Sequence, residues 1–380
     1  MRHYLLGSTA LVAAGLAAGQ AQAADPIKLT LGGFYGAAAG VEIGGADGEN
    51  RPGNDRQTGA FKQNVEVHFN GSTTLDNGLT VGAHIELEAN NTPGRTIDEV
   101  YTYFKGGFGE FRFGDTNGAV GKSCVVDPGE ITNNFGLISP NNSFTNVARA
   151  GTGSAIGLGG IGSCEDSIGT KAVYFSPVFG GFQLALSYAP NSNKTAGPAT
   201  GTGSNSGPNR NIAAGYLSYN HSFGGFNLTA GGGAEYYFEP ADGGGSNQPA
   251  FYQAGLQVGF GRFAVGASGE YYQNYKRTLA DPSAGVAGNA DGWLATAGAS
   301  YAIDAWTIGL EGAHGNFQTD KISNVDTYNS VSLQGTYKLG PGIRLEAEAA
   351  YFWYHDDQHT NGLNASDNSA SIGLGSYITF

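Results

Sequence analysis

Leu79-Thr80-Val81-Gly82-Ala83-His84-Ile85-Glu86-Leu87-Glu88 alternates an apolar residue with a polar or small one along its whole length. A period of two puts successive side chains on opposite faces of an extended chain, so this is a strand with one apolar and one polar face. Val65, Val67 and Phe69 alternate with Glu66, His68 and Asn70 in the same way. Near the other end of the chain, Ile343, Leu345, Ala347, Ala349 and Tyr351 alternate with Arg344, Glu346 and Glu348. Runs of about ten residues match a tilted strand that crosses a bilayer.

Composition agrees with a strand-rich chain. Gly supplies 64 of 380 residues, which excludes a helical bundle because each interior Gly costs a helix about 1 kcal/mol. The 21 Phe and 20 Tyr argue against disorder. Acidic residues outnumber basic ones 32 to 19, for a net charge of −13, so no nucleic-acid partner is expected. Residues 1–23 read as a signal peptide: a short start with Arg2 and His3, an apolar run Leu5–Ala18, and Ala21-Gln22-Ala23 before a cleavage point at Ala24. No later run is long and apolar enough for a membrane-spanning helix. An exported chain of this kind is soluble, fibrous or a membrane barrel.

The turns decide among these. Tight turns are expected at Asp76-Asn77-Gly78, Gly106–Gly109, Gly180-Gly181, Gly224-Gly225, Gly261-Arg262, Asp304 and Gly340-Pro341-Gly342. Between them lie long polar stretches rich in Gly, Asn and Ser, such as Asn191–Asn209, Pro240–Gln248 and Thr278–Ala290. Seven short turns join fourteen strands, and one strand at each end makes sixteen. An even strand number with alternating short and long connections predicts a closed antiparallel transmembrane β-barrel. Closure leaves no sheet edge for lipid to meet. Phe179, Phe182, Phe223, Phe226, Phe260 and Phe263 flank short turns, while Tyr236–Phe238, Tyr271, Tyr272, Tyr275 and Tyr351–Tyr354 stand on the long-loop side. Two such belts are the aromatic girdles of a barrel, against a soluble sandwich with its rings in the core. The last strand alternates Ile372, Leu374, Ser376 and Ile378 and ends on Phe380, which resembles the signal read by the outer-membrane assembly machinery.

Specific segments resemble a family. Ala24–Leu29 looks like the mature start of porins from α-proteobacteria, of the Rhodobacter-like type. Glu99–Asp115 (EVYTYFKGGFGEFRFGD) is similar to the hairpin leading into the constriction loop of general diffusion porins. Tyr174–Phe182 (YFSPVFGGF) resembles the strand and turn that follow that loop. The resemblance implies a homotrimer in the outer membrane of a Gram-negative bacterium, in contact with lipid and lipopolysaccharide. Residues 24–380 would form the barrel, with residues 116–168 folded into the pore as a constriction loop. The alternative for that segment is an ordinary external loop. Its length without periodicity itself asks for a function.

The insertion carries Asp127, Glu130, Glu165 and Asp166, with Lys122 and Arg149 as its positive charges. Its cysteines, Cys124 and Cys164, are the chain's only two. In an oxidising compartment a disulfide between them would close a loop of about 41 residues and contribute roughly 4 kcal/mol. Two free thiols are the alternative.

By alternation the water-facing wall includes Lys28, Lys62, Glu66, His68, His84, Glu86, Glu88, Arg112, Arg344, Glu346 and Glu348. A charge facing lipid at mid-bilayer would cost about 2–4 kcal/mol. Acidic and basic residues across a narrow point would filter solutes by charge, and the acidic excess suggests a mild cation preference. Ca²⁺ at Asp127 and Glu130 is one option; no cofactor or other metal is expected. His355-Asp356-Asp357-Gln358-His359 reads as a solvated loop, and Asp242–Asn247 lacks the period of a calcium-binding repeat. No catalytic motif is found, so no enzyme is expected. The function implied is passive diffusion of small hydrophilic solutes and ions. The rivals are a substrate-specific channel, for example for sugars, and a surface adhesin or structural β-protein. The first would carry an aromatic track on the pore wall, of which only Phe34 is visible in the sequence.

Overall fold

The computed structural model describes residues 26–44, 59–89, 97–132, 164, 169–191, 210–239, 248–276, 289–318, 325–355 and 367–380. Sixteen strands follow in chain order: β1 (Lys28–Gly44), β2 (Gly59–Thr74), β3 (Thr80–Glu88), β4 (Ile97–Gly106), β5 (Gly109–Thr116), β6 (Gly169–Phe175), β7 (Phe182–Asn191) and β8 (Arg210–Ser222). They continue as β9 (Asn227–Glu239), β10 (Ala250–Phe260), β11 (Phe263–Lys276), β12 (Asn289–Ile303), β13 (Trp306–Gln318), β14 (Val325–Gly340), β15 (Ile343–His355) and β16 (Asp367–Thr379). One short helix, α1 (Ala119–Ser123), follows β5.

Each strand pairs antiparallel with its sequence neighbours, and β1 pairs with β16 to close the barrel. The closing seam runs from Phe34 opposite Thr379 to Gly44 opposite Ser369. It is completed by two backbone hydrogen bonds between Gly33 and Phe380, 3.0 and 3.1 Å. All seven expected tight turns fall between paired strands. The positive φ at Gly78, Gly109, Gly180, Gly181, Gly224, Gly261 and Gly342 is why glycine recurs there.

The alternation written in the sequence sets the two faces. Leu256, Leu310, Leu333, Leu345 and Leu374 are exposed, as are Phe182, Phe223, Phe226, Phe260, Phe263 and Trp306 beside the short turns. These are the residues that a lipid-facing surface requires. The opposite belt is thinner than the sequence suggests. Tyr271, Tyr351 and Trp353 point outward and are exposed, but Tyr272 and Phe352 are buried on the inner face. Consecutive rings cannot share one face of a pleated strand, so a run of aromatics contributes only half its members to a girdle. The side chains of Tyr275 and Tyr354 lie outside the described residues.

Candidate functional site

Between β5 and β6, residues 117–132 run along the polar inner face of the barrel. At its start the segment is tied to Glu99 on β4. Glu99 Oε1 accepts from Asn117 N–H at 2.9 Å and from Asn117 Nδ2 at 2.8 Å. The Lys122 ammonium reaches the same oxygen at 3.0 Å. The Ala119 N–H donates to Ser187 Oγ on β7 at 3.0 Å, and Ala119 and Val120 of α1 are fully buried.

The chain then crosses to the far wall. Val125 N–H donates to the Tyr216 hydroxyl at 3.0 Å, and that hydroxyl donates to Gln253 Oε1 at 2.6 Å. Gln253 Nε2 returns a bond to the Val125 carbonyl at 2.7 Å, and Gln257 Nε2 donates to the Val126 carbonyl at 2.6 Å. Further on, Gln334 Oε1 accepts from Ile131 N–H, Thr132 N–H and Thr132 Oγ1 at 2.9, 3.2 and 3.0 Å. An extended segment away from a ladder must find partners for its backbone groups, and wall amides supply them.

Wall glycines let the segment sit this close. A Cβ on Gly255 would collide with the Val125 carbonyl, one on Gly298 with Asp127 Oδ1, and one on Gly309 with the Gly129 carbonyl. Asp127 itself is 2% exposed and turned to the wall, where Oδ1 accepts the Gly129 N–H at 2.9 Å. Burial raises the Asp127 carboxyl above its ordinary range. Glu130 is pushed up to about 7, by burial first and by the neighbouring Asp127 carboxylate second. A desolvated carboxylate beside another resists ionisation.

The remaining site residues fall as follows. Lys122 is exposed apart from its contact with Glu99. Cys124 and Cys164 are joined in a disulfide with a Cα–Cα distance of 5.8 Å. Arg149, Glu165 and Asp166 lie outside the described residues. On the wall, Lys28 is exposed at the start of β1, and Lys62 is half-buried on β2. Glu66 pairs with His68 at 2.9 Å and Glu86 with His84 at 2.7 Å. Arg112 pairs with Glu110 at 2.6 Å and Arg344 with Glu346 at 2.7 Å. Each pair joins residues two apart on one strand, so these polar groups bond along a strand. Asp127 and Glu130 do not join any group of three possible metal ligands among the described residues.

Sequence reasoning missed Glu99, Tyr216, Gln253, Gln257 and Gln334, which hold the segment. The available signal was an amide on the polar face of a strand whose other face carries Tyr252, Leu256 or Leu333. It also missed a belt of rings on the inner wall. Ring centroids lie 5.2 Å apart for Tyr377–Phe34, 6.1 Å for Phe34–His68, 5.6 Å for His68–His84, 5.0 Å for His84–Tyr101 and 6.5 Å for Tyr101–Tyr103. The Arg112 guanidinium lies 5.0 Å from the centres of Tyr101 and Phe175, and that of Arg344 lies 4.6 Å from Tyr377. Its six rings come from five strands, with only Tyr101 and Tyr103 sharing one, so no local stretch of sequence displays the belt.

A closed sixteen-strand barrel, apolar outside and polar inside, with a chain segment docked within, is the architecture of an outer-membrane channel protein. The chain belongs to the Gram-negative porin family, whose model matches residues 7–357. No curated protein sequence matches it. Among solved structures it is similar to an anion-selective porin from Comamonas acidovorans, with 16% identity, a TM-score of 0.60, and 93% of this chain and 100% of that one covered. It is also similar to the trimer form of OmpT from Vibrio cholerae, with 13% identity, a TM-score of 0.60 and coverage of 94% and 100%. Salmonella typhi OmpF in complex with daunomycin gives 12% identity, a TM-score of 0.59 and coverage of 93% and 98%. At these identities the likeness is one of fold.

Proposed function

We propose that the protein is a general diffusion porin: a passive, water-filled outer-membrane channel for small hydrophilic solutes and ions. The observation that carries this reading is the segment 117–132, bonded along the polar inner face; a segment held there would narrow the lumen. In this reading residues 116–168 are the constriction loop, and Lys122, Asp127, Glu130, Arg149, Glu165 and Asp166 set its charge. Lys28, Lys62, Glu66, His84, Glu86, Arg112, Arg344 and Glu346 line the water. The acidic excess then gives a mild cation preference.

The working form is a homotrimer of the α-proteobacterial type, embedded among lipid and lipopolysaccharide. It is exported by removal of residues 1–23 and delivered to the assembly machinery through Phe380. One of the similar folds, OmpT, is described as a trimer form. Conductance of the purified protein in a planar bilayer tests the reading. Stepwise openings with a reversal potential favouring cations are expected under a salt gradient. A folded, heat-modifiable protein that never opens would overturn it.

A second reading, a channel selective for ring-bearing solutes such as sugars, draws on the belt from Tyr377 to Tyr103. It predicts that a sugar blocks ion current at millimolar concentration, which a non-selective pore would not show.

A further inference from the structure

We propose that His68, His84 and Glu86 form a binding site for a divalent transition-metal cation of the Zn²⁺ class on the inner wall. The three residues lie on β2 and β3, with His68 directly opposite Glu86 in the register and His84 opposite Asn70. All three alternate with Val67, Phe69, Ile85 and Leu87, so they project from the polar face. One nitrogen or oxygen from each lies within 4.8 Å of the others. Ligands on a single Zn²⁺ ion, with bonds of about 2.0–2.2 Å, sit roughly 3–3.5 Å apart. Small side-chain rotations on two adjacent strands would close the difference.

The local hydrogen bonding supports this assignment. His84 faces Asn70 Oδ1 through Nδ1 and Glu86 Oε1 through Nε2, the latter at 2.7 Å. The Nε2 nitrogen and the Glu86 carboxylate are thus already turned toward one another, as two ligands of one ion would be. An outer partner on the second ring nitrogen, as Asn70 is here, is the usual support of a metal-bound histidine.

The surroundings add negative charge. Glu66 lies 2.9 Å from His68 and belongs with Glu88 and Asp98 to a second close group, whose oxygens are also within 4.8 Å of one another. The nearby cation Lys122 is engaged by Glu99 at 3.0 Å. Two imidazoles and one carboxylate favour Zn²⁺, Ni²⁺ or Cu²⁺ over the hard cations Mg²⁺ and Ca²⁺. A bound ion would leave its remaining position open to the water of the lumen.

The test is made on the folded protein in detergent, by titration calorimetry with Zn²⁺ and by the visible absorption of Co²⁺. This needs no current through the barrel, so it is independent of the channel reading. One Zn²⁺ per chain is expected, with Mg²⁺ in excess failing to displace it. His84→Gln and His68→Gln should each weaken binding about tenfold or more, and the double variant should abolish it. His314→Gln, at an exposed histidine on β13, should leave it unchanged. Heat modifiability establishes that each variant is folded. If His84→Gln fails to fold, His68→Gln carries the test alone. Zn²⁺ binding that survives in the double variant, or no binding beyond that of Mg²⁺, would overturn the proposal.

Discussion

The inner face of this barrel is divided. From β2 to β5 it carries charges and rings: Glu66 with His68, His84 with Glu86, Glu110 with Arg112, and Tyr101 beneath the Arg112 guanidinium. From β8 to β14, where residues 125–132 dock, the contacts are made by Tyr216, Gln253, Gln257 and Gln334 and by the bare backbone of Gly255 and Gly298. The difference follows from water. A docked segment buries its N–H and C=O groups together with whatever they touch. An amide can donate to one and accept from another without bringing a charge into a dry interface. On the watered half the charges pair along their own strand, while the carboxylates of the docked half are taken up by amides: Glu311, 1% exposed, accepts from Gln334 Nε2 at 3.3 Å, and Asp127 accepts the Gly129 N–H. A carboxylate also grips the segment: Glu99 Oε1 takes the Asn117 N–H, its side-chain amide and the Lys122 ammonium together. Those donors, all on one oxygen, offset part of the cost of burying the group.

The docked half should be the sensitive one. Removing the disulfide with Cys124→Ala and Cys164→Ala should have the largest effect. The two cysteines are 40 positions apart, and the chain-entropy model assigns such a closure about 4 kcal/mol. Unfolding of the protein in detergent, followed by tryptophan fluorescence, should move to markedly lower denaturant. Gln334→Leu should come next. It removes the acceptor of the Ile131 and Thr132 N–H groups while keeping an apolar side chain at a position only 1% exposed. The expected loss is about 1–3 kcal/mol. Hydrogen exchange at residues 131 and 132 should rise ahead of the barrel strands.

Much of the barrel was legible because its two physical demands are local. Alternation such as Leu79–Glu88 sorts side chains to two faces, and a positive φ selects glycine at turns such as Gly78 and Gly224. The docking was not legible, because it depends on which strands face each other across the lumen. Nothing near Gln334 in the chain points to Ile131, some 203 positions away. The same holds for the ring belt, in which Phe34 meets Tyr377 only because β1 closes on β16. The role expected of Asp127 was half visible. Its place in the insertion could be read, but its turn toward Gly298 could not, since the glycine gives no signal until the loop lies on it.

The smallest effect is expected in the charged half, and it sharpens the contrast. Lys105, at the short-turn end of β4, approaches Glu110 at 3.6 Å with its side chain 64% exposed. Such a pair gains little from Coulomb attraction in water and must hold a flexible side chain in place, so exposed pairs contribute about 0–1 kcal/mol. Glu110 keeps its closer bond to Arg112 at 2.6 Å when Lys105 is gone. Lys105→Gln should therefore leave the unfolding midpoint close to that of the unsubstituted protein, well short of the shift from Gln334→Leu. It does remove one fixed positive charge from the polar face. If that face conducts, the reversal potential under a salt gradient should move toward cations, and the shift should shrink as added salt shortens the screening length. A large stability loss from Lys105→Gln would break the division drawn here, because a charge on the watered half would then be holding the fold as firmly as an amide on the docked half.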